Sequence, residues 1–189
     1  MIGARALPIA FWLVPAPPHH GKLATTIEGL ARELNAPRFE PHVTVYAGAR
    51  AVDDDVEILL TQAAGGIGSI DLRITAVGTS SELFKTLYLE FESDPQAERL
   101  CRLFRAGLRP ALDYGLKPHL SLLYKQLPGP TRAALTRRFD LTGQRIAFGQ
   151  VAAVRPGHGR NDWLDIEGWD VWLRKDLGQR DARQQPGCS

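Results

Sequence analysis

Cysteine is almost missing from this chain. Only Cys101 and Cys188 occur in 189 residues, one inside an apolar helical pattern and one in a polar tail, with no metal-site spacing between them. A disulfide framework is therefore excluded as the source of stability, and a reducing, cytoplasmic setting is expected. No run reaches the roughly 18 apolar residues that a membrane span requires, and residues 1–7 are too short for a secretory apolar region. We expect a soluble chain with no membrane partner. Charge of one sign is also scarce: 23 basic residues face 21 acidic ones, for a net charge of +2. Such a balance suits a small anionic ligand better than a long nucleic acid.

Two further motifs fail on context. Gly65-Gly66-Ile67-Gly68 follows a helical pattern and leads into a strand, the wrong order for a phosphate-cradling loop, so it reads as a turn. Asp53-Asp54-Asp55 stands at a helix start, where carboxylates complement the helix dipole and successive side chains diverge around the axis. Neither carries a metal or phosphate site, and no cofactor is expected.

What the chain does contain is a core and a repeat. Hydrophobic residues make up 44% of it, enough for one domain over residues 1–177, with a polar, aperiodic and disordered tail expected over 178–189. Pro41-His42-Val43-Thr44-Val45 returns as Pro118-His119-Leu120-Ser121-Leu122: proline, histidine, aliphatic, hydroxyl, aliphatic in both copies. In a strand, alternate side chains share a face, so His42 lies with Thr44 and His119 with Ser121, while the aliphatic residues face a core. Were the two strands neighbours, two imidazoles and two hydroxyls would converge on one small volume.

The intervening segments supply the frame. Ile9–Val14 is an apolar strand containing Trp12, closed by Pro15-Ala16-Pro17-Pro18. A helix over about 21–34 follows, with Leu23, Ile27, Leu30, Ala31 and Leu34 as its stripe and His19-His20 as a solvated first turn. The first motif strand ends at Gly48, and a helix then repeats Val56, Leu59, Leu60 and Ala63. Residues 70–77 and 87–92 alternate as half-buried, antiparallel strands, and Asp94-Pro95 caps a helix with the stripe Ala97, Leu100, Cys101 and Phe104. After the second motif come a helix over 131–139, a strand over 144–154, an exposed His158 in a glycine loop, and a bent strand over 163–173 bearing three tryptophans. This order argues for an α+β fold, bilobal, with two similar lobes of antiparallel sheet and flanking helices around a central groove.

Two facing imidazoles fit one chemistry well. Opening a cyclic phosphodiester takes a proton from water and gives one to a leaving oxygen, and histidine, with a pKa of about 6.5, can do either. The Thr44 and Ser121 hydroxyls would donate to the non-bridging phosphate oxygens as charge develops there. Which histidine is base and which is acid stays open at this level, because the copies are alike.

These residues resemble the 2H phosphoesterases, whose two His-x-Thr/Ser-x motifs are met here as His42-Val43-Thr44-Val45 and His119-Leu120-Ser121-Leu122. Within that group the chain is similar to the small cyclic nucleotide phosphodiesterases. Its length, its motif separation, Tyr124 in Ser121-Leu122-Leu123-Tyr124 and the strand bearing Trp12 all match. The resemblance, over about residues 8–173, implies a bilobal groove and metal-independent hydrolysis of a 2′,3′-cyclic nucleotide or ADP-ribose 1″,2″-cyclic phosphate to a monoester. It also implies substrate contacts for Tyr124 and Trp12, the latter by stacking on a nucleobase, although a tryptophan in an apolar strand suits a core equally. Strict alternation puts Tyr124 on the face opposite Ser121, so a bulge or the strand's end must turn it inward. Alternatives are an enzyme of RNA 2′,3′-cyclic ends related to 2′-5′ RNA ligases, with RNA ends as partners, and a nucleotide-binding module without turnover. The expected species is a monomer.

Overall fold

A computed structural model describes residues 6–157 and 163–178. His158 and the tail over 179–189 lie outside the described residues. The chain runs β1 (Leu7–Pro15), α1 (His19–Leu34), β2 (Val43–Arg50), α2 (Val56–Gly65), β3 (Ile70–Thr79), β4 (Leu87–Phe91), α3 (Pro95–Ala106), β5 (His119–Leu123), α4 (Gly129–Thr136), β6 (Arg145–Arg155) and β7 (Asp170–Asp176). All pairings are antiparallel in one seven-stranded sheet of order β1-β2-β5-β4-β3-β6-β7, and β1 also pairs with β6. The first part of β6 pairs with β3, and its second part lies between β1 and β7. Two halves, β2-β1-β6-β7 and β5-β4-β3-β6, thus share β6 and meet again at a narrow seam where Val43 pairs with Leu120. That seam sets the two motif strands side by side.

Burial explains which sequence patterns became which elements. In β1, Ile9, Phe11 and Leu13 enter the main core, while Ala10, Trp12 and Val14 join a second cluster with Ala152 and Val154. A strand covered on both faces has no reason to alternate, which accounts for its unbroken apolar run. Val43 and Val45 point into the main core, so Thr44 faces the other way. Each half's helix covers the other half's motif strand: α1 packs on β5, and α3 packs on β2. Phe104 of α3 stacks on Phe11 at 3.9 Å between ring centres.

Helix starts follow local chemistry. Asp94 accepts from the Gln96 and Ala97 amides, both at 2.9 Å, ahead of Pro95. Asp55 accepts from Ile58 N at 3.0 Å, and Asp54 binds the Ala51 amide and Arg109, so the acidic triplet caps and pins rather than clustering on one point.

Several boundaries differ from the sequence expectation. His19 and His20 form a half-buried first turn of α1, not a solvated one: His19 Nδ1 accepts from Ala147 N at 3.2 Å, and His20 bonds Glu40. Strand β2 continues past Gly48, where Gly48, Ala49 and Arg50 pair with Ile9, Pro8 and Leu7 of β1; the glycine leaves room for the Tyr46 ring, since a Cβ would come within 2.6 Å of the tyrosine oxygen. Helix α4 starts at Gly129, since Pro130 is tolerated in a first turn. The segment 163–173 is not one bent strand. Ile166–Gly168 forms a 3-10 turn, closed by Trp169 Nε1 donating to Trp163 O at 2.9 Å, and β7 begins only at Asp170. Among the described residues no helix is long and apolar enough to cross a membrane.

Candidate active site

On the sheet face opposite the helices, a hollow of about 260 Å³ is bounded by His42, Thr44 and His119, with Trp12, Phe84, Tyr124, Trp163 and Trp169 as aromatic walls. Its size lies near the lower end of small-ligand sites. The two histidines are built alike. His42 Nδ1 lies 2.6 Å from the carbonyl of Glu40, and His119 Nδ1 lies 2.8 Å from the carbonyl of Lys117, each two residues upstream. A carbonyl can only accept, so both rings carry hydrogen on Nδ1 and leave Nε2 as the reactive nitrogen. Neither Nε2 has a hydrogen-bond partner among the described residues.

Their surroundings differ. His42 is 5% exposed and stacked on Trp12 at 3.6 Å between ring centres, with the planes 7° apart. Burial depresses its pKa to about 4; the Glu40 carbonyl and carboxylate oppose that, and charge on His119 adds to it. His119, half-buried, is also held below the ordinary histidine value, first by burial and then by Lys85, against the Lys117 carbonyl and the carboxylates of Glu90 and Glu82. Both rings line the same hollow.

The motif hydroxyls are unequal as well. Thr44 is half-buried, lines the hollow, and has no side-chain hydrogen bond among the described residues. Ser121 is buried, donates to Phe84 O at 2.7 Å, and is not part of the hollow's lining. The 3-10 turn Leu83–Lys85 folds over β5 and brings the Phe84 carbonyl onto it, a contact that the motif alone does not reveal.

Tyr124 enters the hollow as the strand's end allows, one residue past β5. It is 4% exposed, stacks on Phe39 at 3.9 Å, and has its phenol pKa raised by burial, with a Ser121 hydrogen bond acting the other way. Lys125 next to it donates to the Leu34 and Asn35 carbonyls at the end of α1, which fixes the chain where it leaves β5. Trp12 lines the hollow at 3% exposure with one ring face against His42.

Trp169, with Phe84 and Trp163, lines the hollow without having been singled out in the sequence. Its ring lies 5.7 Å from Trp12, 6.2 Å from His42, 6.0 Å from Phe84, 5.8 Å from Tyr124 and 5.8 Å from Trp163. The one signal for it was the density of tryptophan after residue 162, which placement in a strand obscured.

Paired His-x-Thr/Ser strands side by side in one antiparallel sheet, with both imidazoles on one hollow, define a 2H phosphoesterase. Residues 7–142 match the family model described as cyclic phosphodiesterase-like protein, and the chain belongs to that family. It is similar to a cyclic phosphodiesterase of Arabidopsis thaliana, 26% identical over 116 residues that cover 61% of this chain and 64% of the relative. It is also similar to a 2′,3′-cyclic-nucleotide 3′-phosphodiesterase of Candida albicans, 29% identical over 114 residues, 51% of this chain and 46% of the relative. The chain thus spans less than two thirds of either relative's length. Among solved structures, TT0787 of Thermus thermophilus shares the fold with a TM-score of 0.60 at 17% identity, covering 91% of this chain and 98% of that one. LigT of E. coli, in complex with 3′-AMP, gives 0.58 at 16% identity, covering 93% and 100%.

Proposed function

We propose that the chain is a metal-independent cyclic phosphodiesterase that hydrolyses a 2′,3′-cyclic nucleotide or ADP-ribose 1″,2″-cyclic phosphate to the monoester. The observation that carries this reading is the pair of Nδ1-anchored imidazoles on one hollow, each Nε2 without a partner among the described residues. One Nε2 takes a proton as water oxygen bonds to phosphorus; the other gives its proton to the ribose oxygen as the P–O bond breaks. The names of the Arabidopsis and Candida relatives and the 3′-AMP bound by LigT support the substrate class. Incubation with 2′,3′-cyclic AMP in EDTA should yield a monophosphate, and an unchanged substrate would refute the proposal.

The unequal environments break the symmetry of the motifs. His42, buried against Trp12, is assigned as the base, and His119, less deeply buried, as the acid. A phosphodiester with an aryl leaving group needs no protonation, so His119→Gln should retain activity toward it while His42→Gln does not. The opposite pattern would exchange the roles.

Thr44 donates to a non-bridging oxygen, and Ser121 joins it only by releasing the Phe84 carbonyl. Thr44→Ala should therefore lower kcat and raise KM, together about 100-fold in kcat/KM, in the range of a lost charge-stabilising donor. Ser121→Ala should act less on kinetics and destabilise the fold by about 1 kcal/mol through the lost buried hydrogen bond. Equal kinetic losses in the two variants would contradict this division.

The aromatic walls favour a substrate with a base over an extended RNA backbone. Trp169→Ala should raise KM for 2′,3′-cyclic AMP about tenfold, the scale of a lost base–aromatic contact. For a base-free substrate such as glycerol 1,2-cyclic phosphate, KM should not move. Equal shifts for both substrates would remove Trp169 from base recognition.

A further inference from the structure

The carbonyl that orients His42 belongs to a residue whose side chain is itself clamped. Glu40 lies in residues 36–42, a stretch outside helix and strand whose backbone is tied at Ala36 N to Ala31 O and at Arg38 N to Glu167. Arg174 of β7 donates to both carboxylate oxygens of Glu40, Nη1 to Oε1 at 2.9 Å and Nη2 to Oε2 at 2.6 Å. His20, in the first turn of α1, adds a contact from Nε2 to Oε1 at 3.2 Å. A fork-to-fork arginine–carboxylate pair fixes direction as well as distance. Here it ties two elements remote in sequence to the residue whose main-chain oxygen stands 2.6 Å from His42 Nδ1.

We propose that Glu40, held by Arg174 and His20, is a positioning residue that sets the tautomer and aim of His42, so that β7 and α1 reach the reacting nitrogen through one carboxylate. The proposal rests on the catalytic reading of His42. Arg174 lies in β7, beyond the 7–142 stretch that matches the family model. The clamp also borders a second hollow of about 800 Å³, lined by His20, Glu40, Gln150, Arg174 and Asp176 and separate in its lining from the His42–His119 hollow. Arg174 is thereby accessible to small cations and anions from solvent.

Electrostatics act in the same sense. Burial pushes the Glu40 carboxyl up, but the hydrogen bonds and charges of Arg174 and His20 outweigh it, and the group remains an anion. The charged or titratable groups acting on His42 are then Glu40, itself paired with Arg174 and in contact with His20, and His119 across the hollow. Around them the packing is aromatic: Trp12, Phe39 and Trp169.

Arg174→Ala should lower kcat about tenfold or more, with KM within twofold, since misaiming a catalytic group by a fraction of a bond length acts on the transition state. Arg174→Lys should restore part of the loss, and millimolar guanidinium should restore more in Arg174→Ala than in wild type. Arg138→Ala is the control. It breaks an equally bidentate surface pair with Glu33, neither residue of which lines the hollow, and should leave kcat alone. In ligand-free protein, 15N chemical shifts of His42 should show hydrogen on Nδ1 in wild type and an average of both tautomers in Arg174→Ala. An Arg174→Ala variant whose His42 keeps the wild-type tautomer would overturn the proposal, even if its melting temperature had fallen. The tautomer is read without substrate, so failure of the phosphodiesterase reading shows in the hydrolysis assay and leaves this measurement decisive for the clamp.

Discussion

His42→Ala and His119→Ala are each expected to lower kcat for 2′,3′-cyclic AMP by about 10³-fold while changing KM far less, the magnitude of one lost general acid or base. Each imidazole makes its essential interaction only as protons move, so its loss falls on the transition state rather than on substrate binding. The double variant should be little slower than either single one, because acid and base act as a unit. His42→Gln and His119→Gln belong beside the alanine forms, since alanine at position 42 also unstacks Trp12, which faces the ring at 3.6 Å. Equal melting temperatures for wild type and the glutamine forms would tie the loss to chemistry. A double variant as fast as wild type would end the two-histidine mechanism. The pH profile adds a second constraint: kcat/KM should fall on the acid side as His42 gains its proton near pH 4, and on the alkaline side, below pH 6.5, as His119 loses its own.

The second large effect is on stability. His42 titrates near 4 in the folded chain, against about 6.5 when unfolded. Between those values the unfolded state binds a proton that the folded state refuses, so stability falls as pH drops from 6.5 toward 4 and this contribution levels off below. The gap amounts to about 3 kcal/mol for this one group. Glu40 and Asp54 act in a lower window: their folded pKa values are depressed, so the stability they add is present above about 4 and is lost below it. Urea unfolding of wild type from pH 7 to pH 4.5 should therefore show a steep decline, of which His42→Gln keeps only the part owed to His119. Parallel pH dependences for the two proteins would show that His42 is not shielded from protons in the fold.

How far the site could be read before folding depends on the range of the forces involved. The pairing of His42 with Thr44 on one face follows from strand alternation, and the Asp94-Pro95 helix start follows from a carboxylate beside its own helix amides; both are local. The continuous apolar run of β1 announced a buried strand, but not that its second face would carry Trp12 against the His42 ring. Ser121 looked equivalent to Thr44 because its partner, the Phe84 carbonyl, arrives from a turn 37 residues away. Trp169 and Arg174 were invisible as site residues, since their positions depend on β7 pairing with β6 and not on any pattern around them.

Composition, strand periodicity and the doubled motif were enough to indicate an α+β chain carrying two His-x-Thr/Ser strands, because each of those signals acts within a few residues. The partnership of the imidazoles, the silence of one hydroxyl and the difference in proton affinity came from the β2–β5 seam and from burial. Both arise from groups distant along the chain, and the dielectric around a side chain is set by everything that packs upon it.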